Sequence, residues 1–306
     1  NLSIPNEPLT VLSSRVDPNV MMVVDNSGSM NNVIWHEDYD PTTIPNSDYT
    51  AGNDWIYRND NGSWYYINNR GDYTLSNIRR ESGWYVFAFY NGSYNQVRVK
   101  LPDPVGGRGS RYNGHYIKWV LDNFATTYST DLESVLPNEY RMEVAKTVAK
   151  SIVDDVEDVR FGITKFYNSQ GGKIVAECGA GTSALHNAID DLDSETWTPL
   201  SETYYEVTRY FRGLRGIWGD RPYFSSPIQY RCQKNFTVII TDGEPTEDGF
   251  ESKNISGDTI VGIPKVLPDW NNDGSSLYLD DIAEFAWELD MKTSGNDNAG
   301  VSYNDP

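Results

Sequence analysis

Cysteine and histidine are scarce in this sequence of 306 residues, which has only two of the first and three of the second. Cys178 and Cys232 exclude a disulfide-rich scaffold, and they leave open one disulfide, two buried thiols or an unrelated pair. His36, His115 and His186 are isolated, and no two of them have the spacing of a zinc site. The sequence therefore argues against a zinc protein and against a fold held together by cross-links.

Basic residues and long hydrophobic runs are also in short supply. The chain has 25 Lys and Arg against 44 Asp and Glu, a formal net charge of −19. Because nucleic-acid affinity depends on cationic contacts to phosphate, we expect no nucleic-acid partner. No run of about 18 apolar residues is present, so we expect no transmembrane segment. The acidic excess suits hard cations such as Ca²⁺ or Mg²⁺, although a role in solubility explains most of it.

Two short apolar runs predict strands buried on both faces, as in parallel sheets. The run at 19–24 ends in Asp25, and the run at 236–240 ends in Thr241-Asp242. Strand-like and helix-like patterns alternate between them, which predicts an α/β fold with a doubly wound, mostly parallel sheet. The expected helices lie at 142–156, 183–192, 199–211 and 278–291, and further strands at 160–167 and 173–178.

Residues 33–136 have a different character. Asn-Gly pairs at 61–62 and 91–92 are flanked by aromatic runs, which is a strong short-range signal for β-hairpins. We predict a β-rich insertion at 33–136, after the first strand, which ends in a helix near 116–124 and a short connection. The α/β domain would then consist of residues 1–32 and 137–306.

Oxygen-bearing side chains follow both buried strands. After Asp25, Ser27 and Ser29 stand at alternate positions, and Gly28 permits a tight turn between them. Thr198 precedes a proline and is expected to cap the helix that begins there. Ligands bind beyond the carboxyl ends of strands in such sheets, so we expect one oxygen-only site for a hard divalent cation. Its predicted ligands are Asp25, Ser27, Ser29, Thr198 and Asp242.

Three segments carry a family resemblance. DNSGSM after the first buried strand, WTPLSE at a helix start and VIITDGEPT at the second strand resemble the metal-ion-dependent adhesion site of von Willebrand factor A domains. The resemblance implies that the five residues named above hold Mg²⁺, or Ca²⁺ or Mn²⁺. It also implies that a carboxylate from a partner completes the coordination shell of the metal.

Longer segments narrow the resemblance. VDPNVMMVVDNSGSM, RCQKNFTVIITDGEPT and YLDDIAEFAWELDM are similar to the N-terminal part of the PilY-type adhesins of type IV pili. This similarity implies secretion, a location at the pilus tip or outer cell surface, and roles in surface or host attachment and in pilus assembly. It implies minor pilins and a surface or host receptor as partners. A disulfide between Cys178 and Cys232 would fit a secreted protein.

The same similarity bears on the extent of the chain. The family continues into a C-terminal β-propeller, and its A domain has a last strand and helix that have no counterpart after residue 291 here. We therefore expect the sequence to be a fragment of a longer protein.

A second cation site is predicted near the C-terminal end. Asp269, Asn271, Asp273, Ser275 and Asp280 fit the spacing of an EF-hand calcium loop, with Asp in the twelfth place where Glu is usual. The alternative is a turn rich in Asn and Asp, followed by a helix whose first residues favour a carboxylate.

Arg70, Gly71 and Asp72 resemble the integrin-recognition tripeptide, which would make an integrin one candidate receptor. Three residues often match by chance, and a glycine turn explains them equally well.

Two other functions, catalysis and a structural scaffold, are alternatives to adhesion. An enzyme such as a phosphoryl hydrolase would place its nucleophile at Asp25, but position 27 is Ser, and no Ser-His-Asp order or phosphate-binding glycine loop stands out. The sequence therefore argues against catalysis. A scaffold, in which the metal only stabilises the fold for assembly with minor pilins, is not separated from adhesion by sequence.

Overall fold

The computed structural model describes residues 16–41, 55–58, 64–66, 84–90, 94–102, 112, 114–125, 128–218, 222–243, 279–288 and 290–304. These ranges contain strands and helices in mixed order. In chain order they are β1 (Asn19–Val24), β2 (Trp55–Arg58), β3 (Trp64–Tyr66), β4 (Trp84–Tyr90), β5 (Tyr94–Lys100), α1 (Gly114–Phe124), β6 (Ser129–Asp131), α2 (Arg141–Asp155), β7 (Arg160–Phe166), β8 (Gly172–Ala176), α3 (Thr182–Asp190), α4 (Leu200–Arg212), β9 (Asn235–Ile240) and α5 (Leu279–Glu288).

Four of the described strands form a mostly parallel sheet in the order β8-β7-β1-β9. Strand β1 is central and runs parallel to both neighbours, with Met22 opposite Ile163 on one side and Val238 on the other. Strand β8 is antiparallel to β7 and closes one edge. The α/β class and the mostly parallel sheet predicted from the sequence are confirmed.

Helices cover both faces of β1, and its side chains alternate between them. Met22 and Val24 pack with residues of α2 and α3, whereas Met21 and Val23 pack with residues of α4. All four side chains are completely buried. Burial of each one stabilises the fold by roughly 1.5–3 kcal/mol. The nearly unbroken apolar run predicted from the sequence therefore forms a strand that helices cover on both faces.

Strand β9 is more exposed than the sequence suggests. Its Phe236 side chain is 48% exposed and Val238 is 41% exposed, so the prediction of burial on both faces is wrong for this strand. The reason lies in the sheet order: β9 pairs with β1 and is the last strand of this sheet in the described part of the chain.

Predicted helix boundaries hold to within a few residues, with two corrections. In α2 the stripe of apolar residues ends at the buried Val153, and Val156 is 45% exposed beyond the end of the helix. At the start of α4, Pro199 occupies the cap position and Thr198 lies one residue earlier, so the predicted cap position is wrong by one residue. None of the described helices is both long and apolar enough to cross a bilayer.

A second sheet lies within residues 33–136, in the strand order β3-β2-β4-β5-β6. The hairpin of β4 and β5 pairs Tyr90 with Tyr94 around the second Asn-Gly position, whose own residues fall outside the described ones. With α1 this sheet buries a separate aromatic and aliphatic core, which includes Tyr85, Phe87, Val99, Tyr116 and Leu121.

The two ends of this segment lie side by side. Val33 forms an antiparallel bridge with Tyr140, and the amide of Ile34 donates a hydrogen bond of 3.0 Å to the carbonyl of Glu139. An inserted segment requires such adjacent ends. The division of the chain into residues 1–32 with 137–306 and a 33–136 insertion stays a prediction.

Candidate metal centre

Three loops meet at the carboxyl end of β1. The amide of Asp25 donates a 2.8 Å hydrogen bond to the carbonyl of Ile240, which joins the loop after β1 to the end of β9. The amide of Gly28 donates a 2.9 Å bond to the carbonyl of Thr196, which joins the same loop to the segment before α4. The three motifs singled out in the sequence are therefore neighbours in space.

Side-chain oxygens from two of these loops form a continuous chain. The Oγ atoms of Ser27 and Ser29 share a hydrogen bond of 2.7 Å, and Ser29 Oγ donates one of 2.8 Å to Asp242 Oδ1. A short 3-10 helix at 28–31 turns the backbone so that both serines face the same way. Asp242 belongs to the loop after β9, so this contact spans residues far apart in sequence.

Asp25 lies beneath these oxygens and is fully buried. Its Oδ1 accepts a 2.7 Å hydrogen bond from the Ser27 amide, and its Oδ2 accepts a 2.6 Å bond from the Thr241 hydroxyl. Burial raises the pKa of Asp25, and the nearby Asp242 carboxylate adds to the rise, although the hydrogen bonds from Thr241 and Ser27 oppose it. A cation at this position would favour the charged form of the side chain.

Asn26 holds the loop after β1 in place by hydrogen bonds to two neighbouring segments. Its Oδ1 accepts a 2.8 Å hydrogen bond from the amide of Phe166, and its carbonyl accepts bonds from the amides of Glu195 and Thr196. The side chain is almost completely buried. Asn26 therefore connects the loop after β1 to the end of β7 and to the segment before α4.

Thr198 lines the same cleft as the two serines and Asp242. The cleft has a volume of about 560 Å³, and Thr198 is 5% exposed within it. Trp197 is 54% exposed at the same opening. The described lining comprises Ser27, Gly28, Ser29, Arg141, Ser194, Glu195, Thr196, Trp197, Thr198, Asp242 and Gly243.

Arg141 is the charged residue that the sequence analysis missed. Its guanidinium forms an ion pair with Asp242 Oδ2, and its Cζ atom lies 4.7 Å from the ring centroid of Trp35. The one available signal was its position as the first residue of α2, where the helix dipole disfavours a positive charge. A cation in such a place indicates a compensating partner, but the sequence does not say which one.

The oxygen spacing fits a small hard cation. Mg²⁺ binds oxygen at roughly 2.0–2.1 Å in octahedral geometry, so adjacent ligand oxygens lie about 2.9 Å apart. The serine pair at 2.7 Å and the Ser29–Asp242 pair at 2.8 Å are each hydrogen-bonded, and a cation could take the place of these hydrogens without a large movement of the oxygens. In the described part of the chain, no three His, Cys, Asp or Glu side chains cluster. A cation here would therefore depend on hydroxyl oxygens beside two carboxylates, a donor set for Mg²⁺, Ca²⁺ or Mn²⁺ rather than zinc.

The predicted integrin tripeptide and most of the predicted calcium loop fall where the structure gives no description. Arg70, Gly71 and Asp72 lie outside the described residues, as do Asp269, Asn271, Asp273 and Ser275 of the predicted calcium loop. Asp280, its last member, is the exposed second residue of α5.

The predicted disulfide is wrong, because both cysteine thiols are free. Cys178 is buried in the core between the sheet and α4, whereas Cys232 is exposed in the turn before β9. A thiol in the core and a thiol at the surface do not meet.

Comparisons with protein-family models, curated protein sequences and solved structures found no match to this chain. The interpretation of the cleft therefore depends on its own geometry and on the sequence motifs around it.

Proposed function

We propose that this chain is a metal-dependent adhesion module that binds its partner at the cleft beyond the ends of β1 and β9. The supporting observation is the run of side-chain oxygens from Ser27 to Ser29 to Asp242, next to the buried Asp25, which accepts a hydrogen bond from the Ser27 amide. Thr198 on the neighbouring segment lines the same cleft. Asp25, Ser27, Ser29, Thr198 and Asp242 are the residues that the von Willebrand factor A resemblance assigns to the metal, and all but Asp25 line the cleft.

The roles of the side chains follow from their contacts. Ser27, Ser29 and Thr198 would supply neutral oxygens, and Asp242 would supply a carboxylate at the edge of the cleft. Asp25 holds the amide of Ser27 and the hydroxyl of Thr241, which keeps the two loops in register. A bound divalent cation would offer an open coordination position to a carboxylate of the partner. Neutral ligands matter here because they do not cancel the charge that attracts this carboxylate.

The wider proposal follows the resemblance. A central parallel strand with helices on both faces supports a doubly wound von Willebrand factor A fold, with residues 33–136 inserted after β1. We propose secretion, a location at the tip of type IV pili, and minor pilins and a surface or host receptor as partners. We propose binding rather than catalysis, because position 27 is Ser and no Ser-His-Asp order or phosphate-binding glycine loop accompanies Asp25 in the sequence.

A titration with Mn²⁺ tests the proposal directly. We expect the double variant Ser27→Ala, Ser29→Ala to lose Mn²⁺ affinity by roughly tenfold or more, measured by calorimetry or by electron paramagnetic resonance of free Mn²⁺. Ser194→Ala is the matched control, because Ser194 lines the same cleft without belonging to the predicted ligand set. An absence of saturable Mn²⁺ binding to the unaltered chain, or equal losses in both variants, would refute the proposal.

The scaffold remains a second candidate because one contact favours it. The Thr241 hydroxyl bridges the loop after β9 to Asp25, so a cation beside Asp25 would brace two strands of the sheet as well as the cleft. Thermal unfolding with and without chelator separates the candidates. A scaffold predicts that the chelated chain unfolds, whereas adhesion predicts that the chelated chain stays folded, with the lower midpoint that follows from loss of any bound ligand, and no longer binds its partner.

A further inference from the structure

We infer that Arg141 sets the charge of this centre, so that it weakens cation binding and strengthens the capture of an anionic partner group. The inference rests on the proposed function, and it adds a residue that neither the sequence motifs nor the family resemblance assigns. It also adds to the proposed partner carboxylate the requirement of an apolar surface beside it.

The position of Arg141 is fixed from two sides. Its guanidinium is ion-paired with Asp242 on one side and stacked over the Trp35 ring on the other, with 4.7 Å between Cζ and the ring centroid. The two charged side chains are only 19% and 10% exposed, so water screens their interaction weakly. The positive charge of Arg141 is therefore held at the cleft from both sides.

The charge count at the centre depends on this residue. Asp25 and Asp242 carry one negative charge each when ionised, and Arg141 offsets one of them. A divalent cation then leaves the loaded centre with one excess positive charge. Without Arg141 the loaded centre would be neutral. Glu195 also lines the cleft, and because it is exposed, water weakens its charge more than the charges of the largely buried Arg141 and Asp242.

Two opposite effects follow from that count. Arg141 repels the incoming cation, and its ion pair with Asp242 competes with the cation for this predicted ligand. It therefore lowers the affinity of the centre for metal. It attracts a negatively charged group to the loaded centre, so it raises the affinity for that group. A purely structural arginine, by contrast, would move both affinities in the same direction when removed.

The remaining guanidinium N–H groups and the neighbouring tryptophan point to the kind of group that fits. Arginine can donate two parallel hydrogen bonds to one carboxylate, so a partner acid could contact the cation and Arg141 together. Trp197, half-exposed at the same cleft, offers an apolar surface beside it. An acidic side chain next to an apolar or aromatic residue matches this pairing.

Mn²⁺ and acetate provide a test with separate readouts. Mn²⁺ affinity is measured by electron paramagnetic resonance, and acetate binding by the fall in water-proton relaxation as acetate displaces water from bound Mn²⁺. We expect Arg141→Gln to bind Mn²⁺ more tightly and acetate more weakly, each by roughly threefold or more. Arg141→Lys keeps the charge, so its Mn²⁺ affinity should stay near that of the unaltered chain while its acetate affinity falls in part.

Lys146→Gln is the control for a charge change on the same helix. Lys146 donates to the carbonyl of Asp190, away from the cleft, and both affinities should stay unchanged. Opposite shifts in Arg141→Gln, with neither shift in Lys146→Gln, support the inference. Parallel shifts, or no shift, in Arg141→Gln overturn it and leave the proposed function standing. Failure of the unaltered chain to bind Mn²⁺ overturns both.

Discussion

At the scale of single residues, the candidate centre divides into a part that the sequence predicts and a part that it does not. Asp25, Ser27 and Ser29 are local, since the spacing of one short loop sets their proximity. The ion pair of Arg141 with Asp242 joins positions 101 residues apart, and no local pattern encodes it. Tertiary contacts of this kind depend on how the strands and helices pack, which a motif does not record.

Asp25→Asn separates the electrostatic role of this residue from its role in folding. The amide can keep the hydrogen bond from the Ser27 amide, and Thr241 can turn its proton to the carbonyl of Gly243 at 3.3 Å. Because burial raises the pKa of Asp25, removal of its charge should not lower the unfolding midpoint of the metal-free protein at neutral pH. The rise in midpoint on adding MgCl₂ should disappear.

Differential scanning fluorimetry with EDTA or with MgCl₂ measures both effects. Ser194→Ala should retain the response to MgCl₂. A large fall in the EDTA midpoint of Asp25→Asn would mean that the ionised carboxylate stabilises the metal-free fold, contrary to this account.

At the scale of elements, burial and strand order decide where sequence patterns are reliable. The run at 19–24 predicts β1 because this strand has helices on both faces, and any polar residue there would lie in the core. The run at 236–240 is also mostly apolar, yet Phe236 and Val238 are half-exposed. The composition of a run shows that its strand is apolar. It does not show which strands pair with it, so it does not show whether the strand is central or at the edge of the sheet.

Gly162 in β7 illustrates a packing constraint within an element. A Cβ atom there would lie 2.8 Å from Met21 Cε, 2.9 Å from the amide nitrogen of Cys178 and 3.0 Å from the carbonyl oxygen of Ala176. The two backbone atoms cannot move away easily, so Gly162→Ala should lower the free energy of unfolding by about 1–3 kcal/mol.

Chemical denaturation measures this loss, with Gly181→Ala as a control. A Cβ at Gly181 meets nothing within 4 Å, and this glycine precedes α3, where alanine costs at most about 1 kcal/mol. Equal losses in the two variants would contradict the close approach of β7 to its neighbours.

Asp297 gives the terminal loop a pH dependence. Its Oδ1 accepts hydrogen bonds of 2.9 Å from the amides of Val301 and Ala299, and its Oδ2 accepts one of 3.2 Å from the amide of Arg231. The Val301 bond contributes most to a lowered pKa of Asp297. A carboxyl with a lowered pKa stabilises the fold above its unfolded pKa of about 3.9 and loses this effect as the pH falls through the folded value.

Asp297→Ala should therefore lower the unfolding midpoint at neutral pH, and the gap from the unaltered chain should close as the pH falls below about 4. Thermal unfolding by circular dichroism over pH 3–7 tests the sign. Asp190→Ala serves as a comparison, because Lys150 rather than backbone amides lowers the pKa of Asp190. A gap that widens at low pH would contradict the assigned hydrogen bonds.

At the scale of the whole molecule, two sheets with separate cores meet near the candidate centre. Trp35 packs against the core of the second sheet. The guanidinium of Arg141 lies over the Trp35 ring and forms an ion pair with Asp242. The hairpin signals at 61–62 and 91–92 predict a β-rich segment, but they do not predict that its edge supports a side chain at the cleft. Such a contact exists only once both sheets have formed.

Replacement of residues 36–137 by a short linker tests how far the two parts depend on each other. The joint is preformed, because Ile34 is hydrogen-bonded to Glu139 and Val33 is bridged to Tyr140. The four-stranded sheet keeps its own two cores, so we expect the shortened chain to unfold cooperatively and to bind Mn²⁺ more tightly than the unaltered chain, but no more tightly than Arg141→Gln. That affinity follows because Trp35 loses the packing of Tyr39 and no longer holds Arg141 in place. A shortened chain that fails to fold would show that the sheets share one cooperative core, and one with unchanged Mn²⁺ affinity would show that Trp35 positions Arg141 without help from the second sheet.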